Sequence, residues 1–410
     1  MSKCSFCKSP LKLNLIDMGK APISNNLFNS LDCKEIKKSY KLIISICNKC
    51  WLVQNRHKVP AKKIFTKNYP YFSSFSSSLL NHSKKLVELC IERFNLNKLS
   101  LVYEIASNDG YLLQYFKKKH IPSVGVEPTL STAKAARKKG LKIVNEFFNT
   151  SVAKQLKKNY GAADLIIANN VLAHVPKLRD FVSAHKNLLK NSGIIVFEFH
   201  YLVSLIKEVQ FDQIYHEHYH YYSLTSLNKI LSSFDLEIFD AILLNTQGGS
   251  LRIYVKKIKN KDYKKTDRLL KLIKKEKNIS VNKIKFYKSF SKKAEKIKNS
   301  FRIFLNNCKR KNLNIIGYGA AAKGITLLNY SKTTINDFKY IVDKNPVKQN
   351  KFLAVSNIKI ISADILRKKF FNFIIIFPWN LKSEIIKELN NYKFSKKAKK
   401  VTFLPKFKIH

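Results

Sequence analysis

Tyr215-His216-Glu217-His218-Tyr219-His220-Tyr221-Tyr222 packs three histidines, one glutamate and four tyrosines into eight residues. Histidine is the side chain suited to moving protons near neutral pH, and a neighbouring carboxylate can fix its tautomer and raise its basicity. Metal binding is the competing chemistry, because His216, Glu217 and His218 are all ligand types. Adjacent side chains rarely converge on one ion, however, and the i, i+4 histidine pair of a helical zinc protease is missing. A packed polar surface is the remaining alternative.

A second chemistry lies in sulfur. Cys4-Ser5-Phe6-Cys7 and Cys47-Asn48-Lys49-Cys50 are two Cys-x-x-Cys knuckles, each placing two sulfurs on one side of a tight turn. Cys4, Cys7, Cys47 and Cys50 together supply a closed tetrahedral site for zinc, with no open position for substrate, so its expected role is structural. Cys33, Cys90 and Cys308 stand outside the pattern.

These groups need elements to position them. Leu101 to Ile105 reads as a short buried strand, Ala106 to Gly110 as a tight polar loop, and Tyr111 to Lys119 as a helix. Strand, small-residue loop and helix open a nucleotide-binding α/β sheet. Glu104, Ala106, Asn108, Asp109 and Gly110 are the candidate cofactor residues there. Glu127 ends the next apolar strand, where a carboxylate can accept both hydrogen bonds of a ribose diol. Strands at 101–105, 123–127, 142–145, 163–168 and 193–199 alternate with helices, which implies a parallel sheet covered on both faces. Ligands then sit above the carboxyl ends of the strands. Asn169, Asn170 and His174 follow the fourth strand and face the same crevice. Asp240–Asn245 and Leu251–Val255 are expected to close the sheet as an antiparallel edge. Seven strands of that kind point to a methyltransferase rather than a dehydrogenase.

The flanking segments are less specific. Asn68 to Ser76 is aromatic and hydroxyl-rich without a period, either a packed connection or a lid carrying Tyr69. Residues 256–310 read as a lysine-rich amphipathic helical linker. Beyond it, a strand, Gly317-Tyr318-Gly319-Ala320-Ala321-Ala322-Lys323-Gly324 and a helix resemble a dinucleotide fingerprint with irregular spacing. Gly317, Gly319 and Lys323 at a helix amino terminus suit a phosphate. The expected domains are residues 1–68 (zinc binding), 69–256 (methyltransferase), 257–310 (linker) and 311–410 (Rossmann-like).

The net charge of +50 invites a nucleic-acid reading, but the lysines are spread through every region, as in chains rich in Lys, Ile, Asn and Phe together. Nucleic acid is therefore not the expected partner. The start carries no apolar signal region and the longest apolar run is too short to span a bilayer, so a soluble, cytoplasmic protein without a membrane partner is expected.

In order and number these motifs resemble the three-domain sugar C-methyltransferases, which use S-adenosylmethionine on nucleotide-linked keto-sugars. The likeness runs through both knuckles, Asp17-Met18-Gly19 to Asn25, the tyrosine-serine loop, Glu104–Gly110, Asn169–His174, Tyr215–His218, Gly248–Tyr254, Gly317–Gly324 and Val342–Pro346. It implies a class I methyltransferase sheet between a zinc domain that covers the site and a carboxyl-terminal domain that helps hold the sugar nucleotide. It also implies that Tyr69, His174, Tyr215, Glu217 and His218 line the sugar site, with His218 as general base. Ala106 departs from a common glycine and Gln247 from a common histidine. The expected chemistry is removal of a proton beside a 4-keto group, by His218 oriented by Glu217. Tyr215 or His174 donates to the enolate, whose carbon then takes a methyl group. O-methylation, methyl transfer to another small acceptor, and an NAD-dependent sugar-nucleotide reaction at Gly317–Gly324 are the alternatives. The oligomeric state, monomer or dimer, stays open.

Overall fold

The computed structural model describes residues 2–67 and 69–410; Met1 and Asn68, which begin the chain and the aromatic loop, lie outside the described residues. At its centre is one sheet of seven strands: β1 (Val102–Ile105), β2 (Ser123–Val126), β3 (Ile143–Val144), β4 (Ala163–Asn169), β5 (Leu189–His200), β6 (Leu236–Leu244) and β7 (Ser250–Lys257). Their order is β6-β7-β5-β4-β1-β2-β3. β7 runs antiparallel to both β5 and β6, and the other pairings are parallel. This is the class I methyltransferase sheet expected from the sequence. Every residue of β1 is buried, as suits a strand covered by helices on both faces. The order reverses between β1 and β4, which opens the crevice above their carboxyl ends.

Leu13–Ala21, Tyr40–Ile46 and Val53–Asn55 form an antiparallel sheet beside the knuckles. Its fourth strand, His220–Tyr221, comes from the middle of the chain and pairs Gln54 with His220 and Val53 with Tyr221. The carboxyl-terminal sheet has Ile315–Tyr318 between Tyr340–Val342 and Phe373–Ile376, all parallel. At one edge Phe352–Leu353 pairs with Leu27–Phe28 from the amino-terminal part. Strand pairing thus ties the expected zinc-binding segment to both the methyltransferase and the carboxyl-terminal segments, through two-residue strands too short to show a period.

The linker is two helices with different partners. Asp267–Asn278 buries Leu269 and Leu272 in the methyltransferase core, while Phe290–Arg310 buries Phe290, Ala294, Phe301 and Leu305 in a second core shared by the amino-terminal sheet and the carboxyl-terminal domain. The three- and four-residue steps of those apolar positions set the buried stripe of the second helix. Among the described residues no helix is long and apolar enough to cross a membrane.

Candidate active site

The four knuckle sulfurs lie within 4.8 Å of one another, with Cys4 Sγ 3.6 Å from Cys50 Sγ and Cys7 Sγ 3.4 Å from Cys47 Sγ. Tetrahedral zinc with bonds of about 2.3 Å needs sulfur–sulfur edges of about 3.8 Å, so the set fits the ion with little adjustment. The turns are alike: Lys8 N donates to Cys4 O and Trp51 N to Cys47 O, and Lys8 and Trp51 both adopt φ 63. Hydrogen bonding to Cys50 above all, and to Gln54, holds the Cys4 thiol down to about 4. Gln54 Nε2 donates to Cys4 Sγ (3.2 Å), and its Oε1 accepts from Ser5 N (2.9 Å) and Ser5 Oγ (2.7 Å).

A cavity of about 1770 Å³ lies above the switch point, walled by all three parts of the chain. Single-ligand pockets are typically about 300–1,000 Å³, so there is room for two molecules side by side. Of the expected cofactor residues, Ala106, Asn108, Glu127, Asn169 and Asn170 line it. Ala106 has φ 58 and Asn108 φ 49, so a β-carbon at 106 is held in a region where glycine is at ease. Glu127 Oε2 accepts from Asn108 N (2.9 Å), and Oε1 accepts from both Thr129 N (2.8 Å) and the Thr129 hydroxyl, which fixes the carboxylate and leaves its open acceptor position on Oε2. Glu104, Asp109 and Gly110 do not reach the wall. Glu104 is 1% exposed, neither carboxylate oxygen is partnered among the described residues, and burial pushes its pKa well up. Gly110, at φ 77, is packed so tightly on Leu141 that no β-carbon fits.

Asp109 and Asn108 instead clamp the aromatic loop. Asn108 Oδ1 accepts from Ser73 N (2.8 Å) and Asn108 Nδ2 donates to Tyr71 O (3.1 Å). Asp109 takes the Ser74 hydroxyl and faces Lys139 at 3.5 Å. From the other side Asn345 Nδ2 donates to Pro70 O (3.2 Å). The loop lines the cavity and is seated on residues 106–110 and on the carboxyl-terminal domain.

Tyr69, His174, Tyr215, Glu217 and His218 meet on one wall. His218 Nδ1 lies 2.7 Å from Gln213 O. A carbonyl only accepts, so Nδ1 carries the proton and Nε2 is left with its lone pair. Desolvation, with His174 next, holds the His218 pKa well below the usual imidazole range, so the ring is neutral. The expected orienting role of Glu217 is thereby corrected. Glu217 accepts from Tyr69 OH (2.8 Å) and Asn25 Nδ2 (2.6 Å), and the Gln213 carbonyl sets the His218 tautomer. Tyr215 lies over His218 with ring centres 4.1 Å apart, and His174 meets it edge-on at 4.7 Å. Burial pushes the His174 imidazole down to about 4, and its Nδ1 has no partner among the described residues. His216 turns away and bonds Ala21 O (3.0 Å), so it belongs to the packing and not to the wall.

From the carboxyl-terminal domain Lys323 lines the cavity, whereas Gly317 and Gly319 do not. A β-carbon on Gly317 would meet Phe377 at 2.7 Å, and one on Gly319 would meet Pro378 at 2.6 Å. Gly319 N is spent on Val342 O (2.8 Å) and Ala320 N on Asp343 Oδ2 (2.9 Å). The fingerprint is closed over by Phe377 and Pro378, and two of its amides are used internally.

Sequence reasoning missed several wall residues. Phe147 and Phe148 follow β3, and their place at a strand's carboxyl end was a usable signal. Glu198 shares that signal at the end of β5, but its partners His82 Nε2 (2.8 Å) and Arg252 Nε (3.0 Å) were not legible, because the three are far apart in the chain. Asn25 and Gln213 act through contacts that only folding brings about.

Three family models match successive parts of the chain: a putative zinc binding domain over residues 4–65, a methyltransferase domain over 84–241 and a C-methyltransferase C-terminal domain over 245–405. The C-methyltransferase NovU of Streptomyces niveus is 28% identical over 386 residues, spanning 94% of this chain and 91% of that protein. Among solved structures, an S-adenosylmethionine-dependent methyltransferase from Clostridium acetobutylicum ATCC 824 matches 42% of this chain and 89% of its own at 17% identity and TM-score 0.34. One from Archaeoglobus fulgidus matches 42% and 94% at 19% identity and TM-score 0.34. Both likenesses are too weak to assign a function.

Proposed function

Since the chain belongs to the three-domain S-adenosylmethionine-dependent C-methyltransferases with a zinc-binding domain, we propose that it methylates a carbon beside the carbonyl of a nucleotide-linked keto-deoxysugar. The observation that carries this is a neutral His218 whose Nε2 is left as a base on the wall of a two-ligand cavity. Carbon is a poor nucleophile until a neighbouring carbonyl acidifies its proton. O-methylation would also use a base, to take the hydroxyl proton; the likeness to a C-methyltransferase over 94% of the chain favours carbon.

S-adenosylmethionine supplies the electrophilic methyl group. Asn108, Glu127, Asn169 and Asn170 hold it, with Glu127 on the ribose diol. His218 Nε2 takes the sugar proton. Tyr215 and His174, packed on that ring, are placed to donate to the oxygen that becomes anionic. Glu217, held by Asn25 and Tyr69, stays an acceptor for a sugar hydroxyl. The lid residues 69–76 exclude water. The product is a branched deoxysugar of the kind used in surface polysaccharides and glycosides.

The test is a panel of thymidine-, uridine-, guanosine- and cytidine-diphosphate 4-keto-6-deoxyhexoses with methyl-13C S-adenosylmethionine. The expected product carries the label on carbon, seen by NMR. Label on oxygen, or none with any of the panel, overturns the assignment.

A further inference from the structure

Lys323 sits where a phosphate-binding lysine is expected, but its surroundings are wrong for a phosphate cradle. It is 7% exposed, and its ammonium donates to Asn380 Oδ1 (2.9 Å) and Gln247 O (3.2 Å), both neutral oxygens. The glycines beside it face Phe377 and Pro378, and Asp343 occupies the Ala320 amide. A diphosphate would find few free amides there and a carboxylate already in place.

The geometry points towards the base instead. Gln213 Nε2 donates to the same Gln247 carbonyl at 3.2 Å, and the Gln213 carbonyl holds His218 Nδ1 at 2.7 Å. One turn further along the same helix, Thr326 Oγ1 reaches Ile214 O (3.4 Å). The helix Ala322–Tyr330 therefore docks on the segment that carries His218, and its single cation and that ring line the same cavity. The buried carboxylate of Asp212, held by Trp379 Nε1 at 2.6 Å, offsets part of the cost of burying that ammonium but does not hydrogen-bond it, so negative charge arriving in the working state is still favoured.

We propose that Lys323 is a catalytic residue, whose ammonium stabilises the enolate oxygen while His218 takes the proton. This rests on the keto-sugar assignment above. The C–H bond beside the carbonyl breaks and its proton goes to His218 Nε2. The bonding pair forms the C=C bond, and the carbonyl π pair becomes negative charge on oxygen. Lys323 keeps its own proton throughout and donates a hydrogen bond to that oxygen. The carbon then takes the methyl group, the carbonyl re-forms, and the sulfur keeps the pair of the broken bond. His218 later gives its proton to solvent. The carboxyl-terminal domain thus contributes to the reaction, beyond holding the nucleotide.

The experiment compares wild type with Lys323→Met, using whichever sugar of the panel is methylated, and thymidine and uridine diphosphates as binding probes. Expected are a fall in turnover of about 10²–10³-fold, as for loss of one oxyanion donor, with diphosphate affinity within about twofold of wild type. In the ligand-free protein, 15N-histidine NMR should show the His218 pKa rising in the variant, because a neighbouring cation has gone. A tenfold loss of diphosphate affinity with turnover retained at saturation returns Lys323 to a phosphate role and overturns the proposal. An unmoved His218 titration also overturns it. If no sugar of the panel is methylated, the function assignment has failed, and the diphosphate-binding and His218-titration arms still decide where Lys323 acts. Bound zinc and a thermal shift with S-adenosylhomocysteine check folding; Lys323→Gln replaces the variant if Lys323→Met does not fold.

Discussion

At the scale of single residues, the candidate base is defined by one carbonyl. Gln213 O fixes the His218 tautomer, and burial keeps the ring neutral. The residue types at Tyr215, Glu217 and His218 were legible because chemistry-bearing side chains crowd one stretch. Their partners were not, because Asn25 and Tyr69 reach Glu217 from 192 and 148 residues away. Glu127→Ala should weaken S-adenosylhomocysteine binding by about 1–3 kcal/mol, the range for charge-assisted hydrogen bonds. Calorimetry that shows unchanged affinity in the folded variant would place the diol elsewhere. Lys323 gives a pH prediction. Burial lowers its pKa to about 8, with Asp212 opposing. Turnover should therefore fall as pH rises through about 8, as the ammonium is lost, and Lys323→Met should lack that limb. Folding stability has the opposite sign: from about 8 up to the unfolded lysine range of about 10.4 the unfolded chain holds more protons, so stability rises with pH. A pH series of turnover beside a pH series of chemical denaturation reads both signs.

At the scale of elements, the parallel strands were legible because strands buried on both faces read as apolar runs. β5 was read short: it begins at Leu189 with polar residues between, which hides its start. The two-residue pairings of His220–Tyr221 and Leu27–Phe28 were not legible, since nothing local specifies them. They matter, because Val53–Asn55 leads from the second knuckle directly to the strand after His218. A Cys4→Ser, Cys47→Ser double variant should lose the close to one zinc per chain expected of a four-sulfur site, and turnover with it. Freshly purified wild type without zinc would refute the metal centre. The lid makes its own prediction. Ser74→Ala removes the hydroxyl bound by Asp109. Hydrogen exchange of residues 69–76 should speed up, with the β1 amides unchanged. Equal protection in both proteins would mean that this contact does not hold the lid.

At the scale of the whole molecule, the charge of +50 told little, whereas the spacing of a few motifs told much. All three parts of the chain wall one cavity, and each contributes a group near His218: Asn25 and Tyr69 through Glu217, Tyr215 and His174 directly, Lys323 through Gln247 and Gln213. The central claim is that this enclosure removes a proton from carbon before the methyl group moves. Deuterium uptake tests it most directly. Wild type, S-adenosylhomocysteine and the keto-sugar nucleotide are mixed in deuterated water, where methyl transfer is impossible and enolisation is not. The account predicts deuterium at the carbon beside the carbonyl with wild type. With His218→Ala it predicts uptake lower by about two to four orders of magnitude, with ligand affinities retained. Exchange by His218→Ala at the wild-type rate, or none by a wild type that methylates the same sugar on carbon, would contradict it.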